Sequence, residues 1–179
     1  PHTTVDPFVL LAHVIMGLNN ISSRRMNPFE PVALSIGSII GGDAENVIPD
    51  QIKLKGTLRF TSLETQKLLR DEMRRVFEIT KTLGGDYELD FLFGGLPMIN
   101  DGHVSKVIDQ VGKDLLGAEN VHPMHKSLGA EDFPEFLRDA PGAMYSLGTM
   151  IAGREVYELH HPKFDLDERA LPIGTAVLV

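Results

Sequence analysis

Apolar residues recur every three or four positions in two stretches, residues 8–18 and 63–77. This period is typical of helices that bury one face. Asp6-Pro7 precedes the first stretch, and an aspartate N-cap followed by proline is a common helix start. We therefore predict helices over residues 7–22 and 62–83.

Strict alternation of apolar and polar residues predicts strands elsewhere. From Ile52 to Arg59 every even-numbered residue is apolar or glycine, and every odd-numbered one is polar or charged. This is the period of a half-buried strand. Residues 32–40 supply an earlier strand candidate and residues 87–93 a later one. The order helix, strand, strand, helix, strand matches a ferredoxin-like βαββαβ unit that lacks its first strand.

The second half of the chain also mixes helix and strand patterns. An amphipathic pattern predicts a helix over residues 104–115, and the apolar run at 143–150 is typical of a buried strand in a parallel sheet. A short strand is a candidate at 120–125 and a short helix at 133–137. Asp167 is expected to cap a closing helix. The overall prediction is a mixed α/β chain.

Composition excludes several classes of function. The 179 residues carry a formal net charge of −8 and include no cysteine. An acidic balance argues against nucleic acid or an anionic membrane as partner, since both need a basic footprint. No apolar run approaches the ~18 residues of a membrane span. Without cysteine the chain forms neither disulfides nor thiolate zinc sites, which agrees with the cytoplasmic location that we expect.

Two polar features have more than one interpretation. Asn46 lies before the alternating strand and Arg59 at its end. Both could face one anionic ligand, because the planar fork of arginine can bind a carboxylate through two hydrogen bonds. An ordinary edge strand with a solvated basic face is the alternative. The neighbouring carboxylates Glu131 and Asp132 could orient a metal-binding histidine or cap a helix.

Four segments resemble the co-catalytic-zinc amidohydrolases and peptidases, which include hippurate, N-acyl-amino-acid and auxin-conjugate hydrolases. The first begins at Pro1 and reads Pro-His-x-x-x-Asp-Pro, and the second begins at Gly41 and reads Gly-Gly-x-Ala-x-Asn-Val-Ile-Pro, with Gly-Thr-x-Arg following at Gly56. The third begins at Ser127 and reads Ser-x-Gly-Ala-Glu-Asp-Phe. The fourth begins at Leu159 and reads Leu-His-x-Pro-x-Phe-Asp-x-Asp-Glu. The resemblance implies two parts, a ferredoxin-like lid and dimerisation domain, followed by the C-terminal part of a three-layer αβα zinc-peptidase-like domain. These parts would occupy residues 1–96 and 97–179.

The resemblance also implies roles for single residues. His2 would reach across a dimer and polarise the scissile carbonyl, while Asn46 and Arg59 would hold the substrate's carboxylate. His160 would be the last ligand to one catalytic metal ion. His161 stands where the family usually has serine or asparagine, which leaves open which of the two imidazoles binds.

The implied reaction is hydrolysis of the amide bond in an N-acyl-amino acid or small peptide by a homodimer that forms through the lid. It would use two divalent metal ions, zinc or alternatively manganese or cobalt, with at most one ligand in this chain. The N-terminal metal-binding half is absent here, so we expect residues 1–179 alone to be inactive. An inactive, freestanding dimerisation module is the alternative. A ferredoxin-like regulatory domain would leave residues after 97 without explanation.

Overall fold

The computed structural model describes residues 1–92 and 94–179, which form two compact units. Unit 1 comprises Pro1–Met98 together with Ser127–Pro134. Unit 2 comprises Ile99–Lys126 together with Glu135–Val179. The division into a lid of residues 1–96 and a catalytic segment of residues 97–179 stays a prediction.

Unit 1 begins with helix α1, Pro7–Asn20. The carboxylate of Asp6 accepts a 2.8 Å hydrogen bond from the backbone N–H of Phe8, which confirms the predicted helix start. A π-helical turn, Ile21–Arg25, follows directly. The chain therefore stays helical slightly beyond the predicted end at residue 22.

The second helix of unit 1, α2, spans Leu63–Thr82. The hydroxyl of Ser62 accepts a 3.1 Å hydrogen bond from the N–H of Thr65 and so satisfies one of the free donors at the helix start. This confirms the helix that the apolar period predicts over residues 62–83.

An antiparallel hairpin completes the regular structure of unit 1. Strand β1, Ala33–Ile40, pairs with β2, Lys53–Arg59. The register shifts by one residue at Gly37, which is a β-bulge. One face of the hairpin and the two helices enclose a core whose buried members are Val14, Leu18, Ile21, Met26 and Leu69.

The strand predicted over residues 87–93 is not found in residues 87–92, and Phe93 lies outside the described residues. Burial does alternate along this segment, with Tyr87, Leu89 and Phe91 half-buried between exposed neighbours. Side chains hold it instead of a strand ladder, because the Tyr87 hydroxyl donates a 2.6 Å hydrogen bond to Glu78. The sheet of the described residues has two strands, so the ferredoxin-like arrangement is not confirmed.

Unit 2 contains helices α3, Gly102–Leu116, and α4, Ala170–Leu178. A short 3₁₀ segment spans Ala118–Asn120. A second one, Phe133–Arg138, begins in unit 1 and continues in unit 2, at the position of the predicted short helix. The Asp101 carboxylate caps α3 by accepting from the N–H groups of its second and third residues.

Two strand predictions in unit 2 are wrong for the described structure. Residues 120–125 and 143–150 make no strand ladder. In 143–150, three backbone groups at Met144 and Thr149 bond to partners outside any strand. The Asn100 side chain both donates to the carbonyl of Met144 (2.9 Å) and accepts from its N–H (2.8 Å), and the carbonyl of Thr149 accepts from the N–H of Asp167.

The start of α4 also differs from its prediction. The N-cap residue is Arg169, not Asp167. The Asp167 carboxylate still serves the helix start, since it accepts a 3.0 Å hydrogen bond from the backbone N–H of Arg169 and pairs with its guanidinium. Hydrogen bonding to Arg169 lowers the pKa of Asp167 to about 2. No helix in the described part of the chain is long and apolar enough to cross a membrane.

Candidate functional site

Asn46 lies in an open concavity that the loop between β1 and β2 forms with the start of α1. The lining consists of Asp6, Phe8 and residues 41–48. Gly42 has a φ of 81°, and a Cβ atom there would lie 3.3 Å from the Phe8 ring. Glycine is therefore needed for the loop to approach the first turn of α1 this closely.

This concavity carries the wrong charge to hold a carboxylate by itself. Its lining includes Asp6, Asp43 and Glu45 but, among the residues that the structure describes, no lysine or arginine. A substrate carboxylate placed here would be repelled by like charges. A cation from elsewhere is needed if Asn46 is to contact an anionic substrate.

Arg59 does not supply that cation within the same concavity. It is the last residue of β2, opposite Ala33, and is half-buried on the face that also carries Thr57 and the strand's lysines. The loop that carries Asn46 joins β2 at its first residue, Lys53. A strand of seven residues separates the two ends by about 20 Å.

His2 lies in the exposed turn that leads into α1. The carbonyl of Pro1 accepts a 3.4 Å hydrogen bond from the N–H of Thr4 across this turn. The sequence runs from His2 to Asp6 in four residues, and Asp6 lines the concavity beside Asn46. His2 is thus close in sequence to a residue beside Asn46, whereas Arg59 lies at the end of β2 that is remote from the loop of Asn46.

His160 lies in unit 2 on a loop that an ion pair between Arg154 and Asp165 closes, with 2.8 Å between Nη1 and Oδ2. Its φ is 70°, a conformation that no other non-glycine residue adopts in the described part of the chain. The neighbouring His161 ring stacks on Tyr157 with 4.5 Å between ring centroids. Both histidine side chains are exposed.

Residues 1–81 match the peptidase dimerisation domain. N-acetylcysteine deacetylase of Bacillus subtilis is 34% identical over 98% of this chain and 45% of its own length. Thermostable carboxypeptidase 2 of Saccharolobus solfataricus is 33% identical over 97% of this chain and 44% of its own length. The resemblance to the amidohydrolase and peptidase family is confirmed.

Solved structures of the family agree with the mixed α/β class. The Bacillus subtilis YXEP protein, a dinuclear metal binding peptidase from the M20 family, superposes with a TM-score of 0.76 at 30% identity. The match covers 97% of this chain and 44% of that chain. This chain therefore spans less than half the length of the relatives that it matches, and the activity of a whole M20 protein is a matter for proposal.

The YXEP protein is described as dinuclear metal binding, which raises the question of whether this chain contains enough ligands for a metal ion. In residues 1–92 and 94–179, no group of three or more His, Asp or Glu side chains could hold a metal ion. A catalytic zinc needs about three protein ligands. These residues therefore do not form a metal site by themselves, and no catalytic step through a metal follows from them.

Glu131 and Asp132 are exposed and lie in Ser127–Pro134, the part of the second half of the chain that belongs to unit 1. Sequence reasoning missed Tyr157 and Phe8. Phe8 forms one wall of the concavity, yet its position in a helical stripe indicates only a packed residue. Tyr157 belongs to no motif, and no signal in the sequence predicts its stack on His161.

Proposed function

We propose that residues 1–179 form the lid, or dimerisation domain, and the C-terminal catalytic segment of a metal-dependent amidohydrolase. Its substrate would be an N-acyl-amino acid or small peptide, and the N-terminal metal-binding half lies outside this chain. The match to a deacetylase and a carboxypeptidase over 97–98% of the chain carries the proposal, because it extends beyond the dimerisation domain into the second half.

Two protomers are needed to assemble the proposed substrate site. Arg59 ends β2, and the loop that carries Asn46 joins the start of the same strand, which is about 20 Å long. We therefore assign Arg59 of one protomer to the substrate carboxylate. Asn46 would come from the partner, together with His2, which lies four residues before Asp6 at the concavity of Asn46. A homodimer through the lid is the simplest assembly that supplies both ends.

Each residue type suits its assigned task. The Arg59 guanidinium can donate two parallel hydrogen bonds to a carboxylate. Asn46 and His2 can donate N–H groups to the scissile carbonyl and stabilise the negative charge that develops on its oxygen. Bound metal ions would supply an activated water at neutral pH. His160 is the ligand that this chain would contribute.

The second candidate is a freestanding dimerisation module without catalysis. One observation favours it: the described residues contain no group of ligands for a metal ion. It predicts a stable dimer with no hydrolytic activity in any form of the protein.

An assay in two arms separates the candidates. Residues 1–179 alone, and a longer polypeptide that includes the rest of the relatives' length, are each supplied with Zn²⁺, Mn²⁺ or Co²⁺ and mixed with N-acetyl-amino acids. We expect metal-dependent release of amino acid from the longer polypeptide only. Replacing Arg59 with Ala should raise KM strongly, whereas the neighbouring exposed Lys55→Ala variant should behave as wild type.

Hydrolysis by residues 1–179 alone would contradict the proposal that most ligands of the metal ions lie in the N-terminal half. A dimeric longer polypeptide without activity on any acyl-amino acid or peptide would favour the dimerisation module. Sedimentation equilibrium measures the dimer in both arms.

A further inference from the structure

His161 lies at the junction of two turns in the loop that carries it. Its backbone N–H donates a 3.1 Å hydrogen bond to the carbonyl of Glu158, and its carbonyl accepts a 2.9 Å bond from the N–H of Phe164. Its Nδ1 atom accepts a third bond, 3.1 Å long, from the N–H of Lys163. Every one of these bonds shapes the loop.

The bond to Nδ1 decides the chemistry of this imidazole. A neutral imidazole has one nitrogen with a proton and one with a lone pair. Nδ1 of His161 accepts from the N–H of Lys163, and this geometry fits the neutral tautomer that carries its proton on Nε2. His161 therefore has no lone pair left for a metal ion or another Lewis acid while the loop keeps this conformation.

Tyr157 fixes the plane of the same ring. The two rings are nearly parallel, with an interplanar angle of 13°. The Tyr157 hydroxyl donates a 2.6 Å hydrogen bond to Glu155, and this bond raises the pKa of Tyr157. The Lys163 Nζ atom lies 5.6 Å from the centroid of the Tyr157 ring. The imidazole of His161 is thus held by a ring on its face and by a backbone N–H at its edge.

His160 is the opposite case. Its side chain makes no hydrogen bond or ring contact with any other described residue, and it is exposed. A left-handed conformation is unfavourable for a non-glycine residue, because Cβ comes too close to the following carbonyl oxygen. His160 adopts it at a φ of 70°, so the surrounding loop must hold it there.

We propose that His161 and Tyr157 are positioning residues that hold the loop so that His160, and not His161, offers a free imidazole. That the His160 imidazole binds a metal ion rests on the proposed function. The positioning itself concerns only this loop and can be measured without metal or substrate.

The geometry also predicts which residues can replace His161. Asparagine commonly accepts a hydrogen bond from the N–H two residues later, and its Oδ1 stands as many bonds from Cα as Nδ1 of histidine. His161→Asn should therefore keep the loop, and His161→Leu should lose it. The Tyr157→Phe and Tyr157→Leu variants form a second pair, in which only phenylalanine keeps the stack.

Nuclear magnetic resonance of the uniformly ¹⁵N-labelled protein tests the proposal. In the wild type we expect His161 to carry its proton on Nε2, with Nδ1 shifted as a hydrogen-bond acceptor. In the His161→Leu and Tyr157→Leu variants the Lys163 amide should exchange about fivefold faster or more, and the His160 ring signals should move. His161→Asn and Tyr157→Phe should leave both close to wild type.

A proton on Nδ1 of His161 would overturn the proposal. Unchanged Lys163 exchange and His160 signals in both leucine variants would overturn it as well. Folding of each variant is checked by the spectrum of unit 1, whose signals should not move. Failure of the hydrolysis assay with an intact loop would count against the proposed function and leave the positioning in place.

Discussion

The two units of this molecule hold themselves together in different ways. Unit 1 contributes six of the seven buried hydrophobic residues found in the described chain, Leu10, Val14, Leu18, Ile21, Met26 and Leu69. Unit 2 contributes only Ala170, and its larger side chains Met150, Leu159 and Leu178 are mostly exposed. Burial of apolar surface is the main stabilising term in folding, so unit 1 has a core of its own.

Unit 2 depends more on hydrogen bonds between specific side chains and the backbone. Asn100 bridges to Met144, and the Tyr145 hydroxyl donates a 2.8 Å bond to the carbonyl of Gly174. Such bonds contribute about 1 kcal/mol each, less than a buried aliphatic side chain. The two units should therefore respond differently to single substitutions.

The largest effect is expected at Leu69, which is completely buried in unit 1. Leu69→Ala should lower the free energy of unfolding by about 2–5 kcal/mol, because it leaves a cavity among packed side chains. Leu68→Ala is the matched control, since Leu68 is 42% exposed on the same helix. Urea unfolding measures both. Equal effects of the two substitutions would mean that unit 1 lacks the core described above.

The next largest effect is expected at Gly56 in β2. A Cβ atom there would lie 2.4 Å from the backbone oxygen of Ser35 on β1, while one at Gly37 would meet nothing within 4 Å. Gly56→Ala should destabilise unit 1 by about 1–3 kcal/mol, the usual cost of overpacking, and Gly37→Ala should cost clearly less. Thermal unfolding of both variants checks the pair, and the reverse order would contradict the register of the hairpin.

A polar anchor of unit 1 should give a smaller effect. Both oxygens of the buried Glu72 carboxylate accept from Arg25, at 3.0 and 3.1 Å. Glu72→Gln should cost about 1–2 kcal/mol at neutral pH, since half-exposed Arg25 can regain water. Asp71→Asn, in an exposed pair with Arg74 on the same helix, is the control and should cost less.

The ion pair of Glu72 with Arg25 also predicts how the free energy of unfolding depends on pH. Hydrogen bonding to Arg25 lowers the pKa of Glu72 in the folded state. Its stabilising contribution is therefore complete above the unfolded pKa of about 4.3 and is lost as the pH falls through the lowered folded value. The difference between wild type and Glu72→Gln should shrink below pH ~4. A difference that grows with acidity would contradict the ion pair.

The smallest effect concerns unit 2. Asn100→Ala removes both hydrogen bonds to Met144 and should cost about 0.5–1.5 kcal/mol. Hydrogen exchange should show the Met144 amide opening faster, with core amides of unit 1 unchanged. Asn120→Ala removes an exposed side-chain bond to the Leu116 carbonyl and serves as control. Unaltered exchange at Met144 would show that Asn100 does not hold this segment.

The starts of α1 and α2 could be predicted from the sequence because their signals are local. Asp6 and Ser62 each accept a hydrogen bond from a backbone N–H within three residues. The start of α3 lies two residues before the predicted residue 104, and the cap of α4 was assigned to the wrong residue. Strands at 87–93 and 143–150 were predicted from patterns of apolar residues, but a strand also needs a neighbour for its backbone. The pattern at Tyr87 and Phe91 predicted burial correctly and hydrogen bonding wrongly.

The candidate site was predictable to a similar extent. Motifs pointed to His2, Asn46, Arg59 and His160, and the alternating pattern correctly placed a strand between Asn46 and Arg59. The sequence did not indicate that Asp6 and Phe8 line a concavity together with the loop of Asn46. The difference between His160 and His161 depends on which backbone N–H meets Nδ1 and on a tyrosine four residues earlier. Neither follows from residue types alone.

Mixing two inactive variants tests most directly the central claim, that two protomers complete one site. In the longer polypeptide, His2→Ala and His160→Ala should each abolish hydrolysis. Because His2 would act in the partner's site and His160 in its own, a mixed dimer keeps one intact site. Random mixing should restore about a quarter of wild-type activity, since half of the dimers are mixed and half of their sites are intact. A mixture no more active than either variant alone would contradict the account.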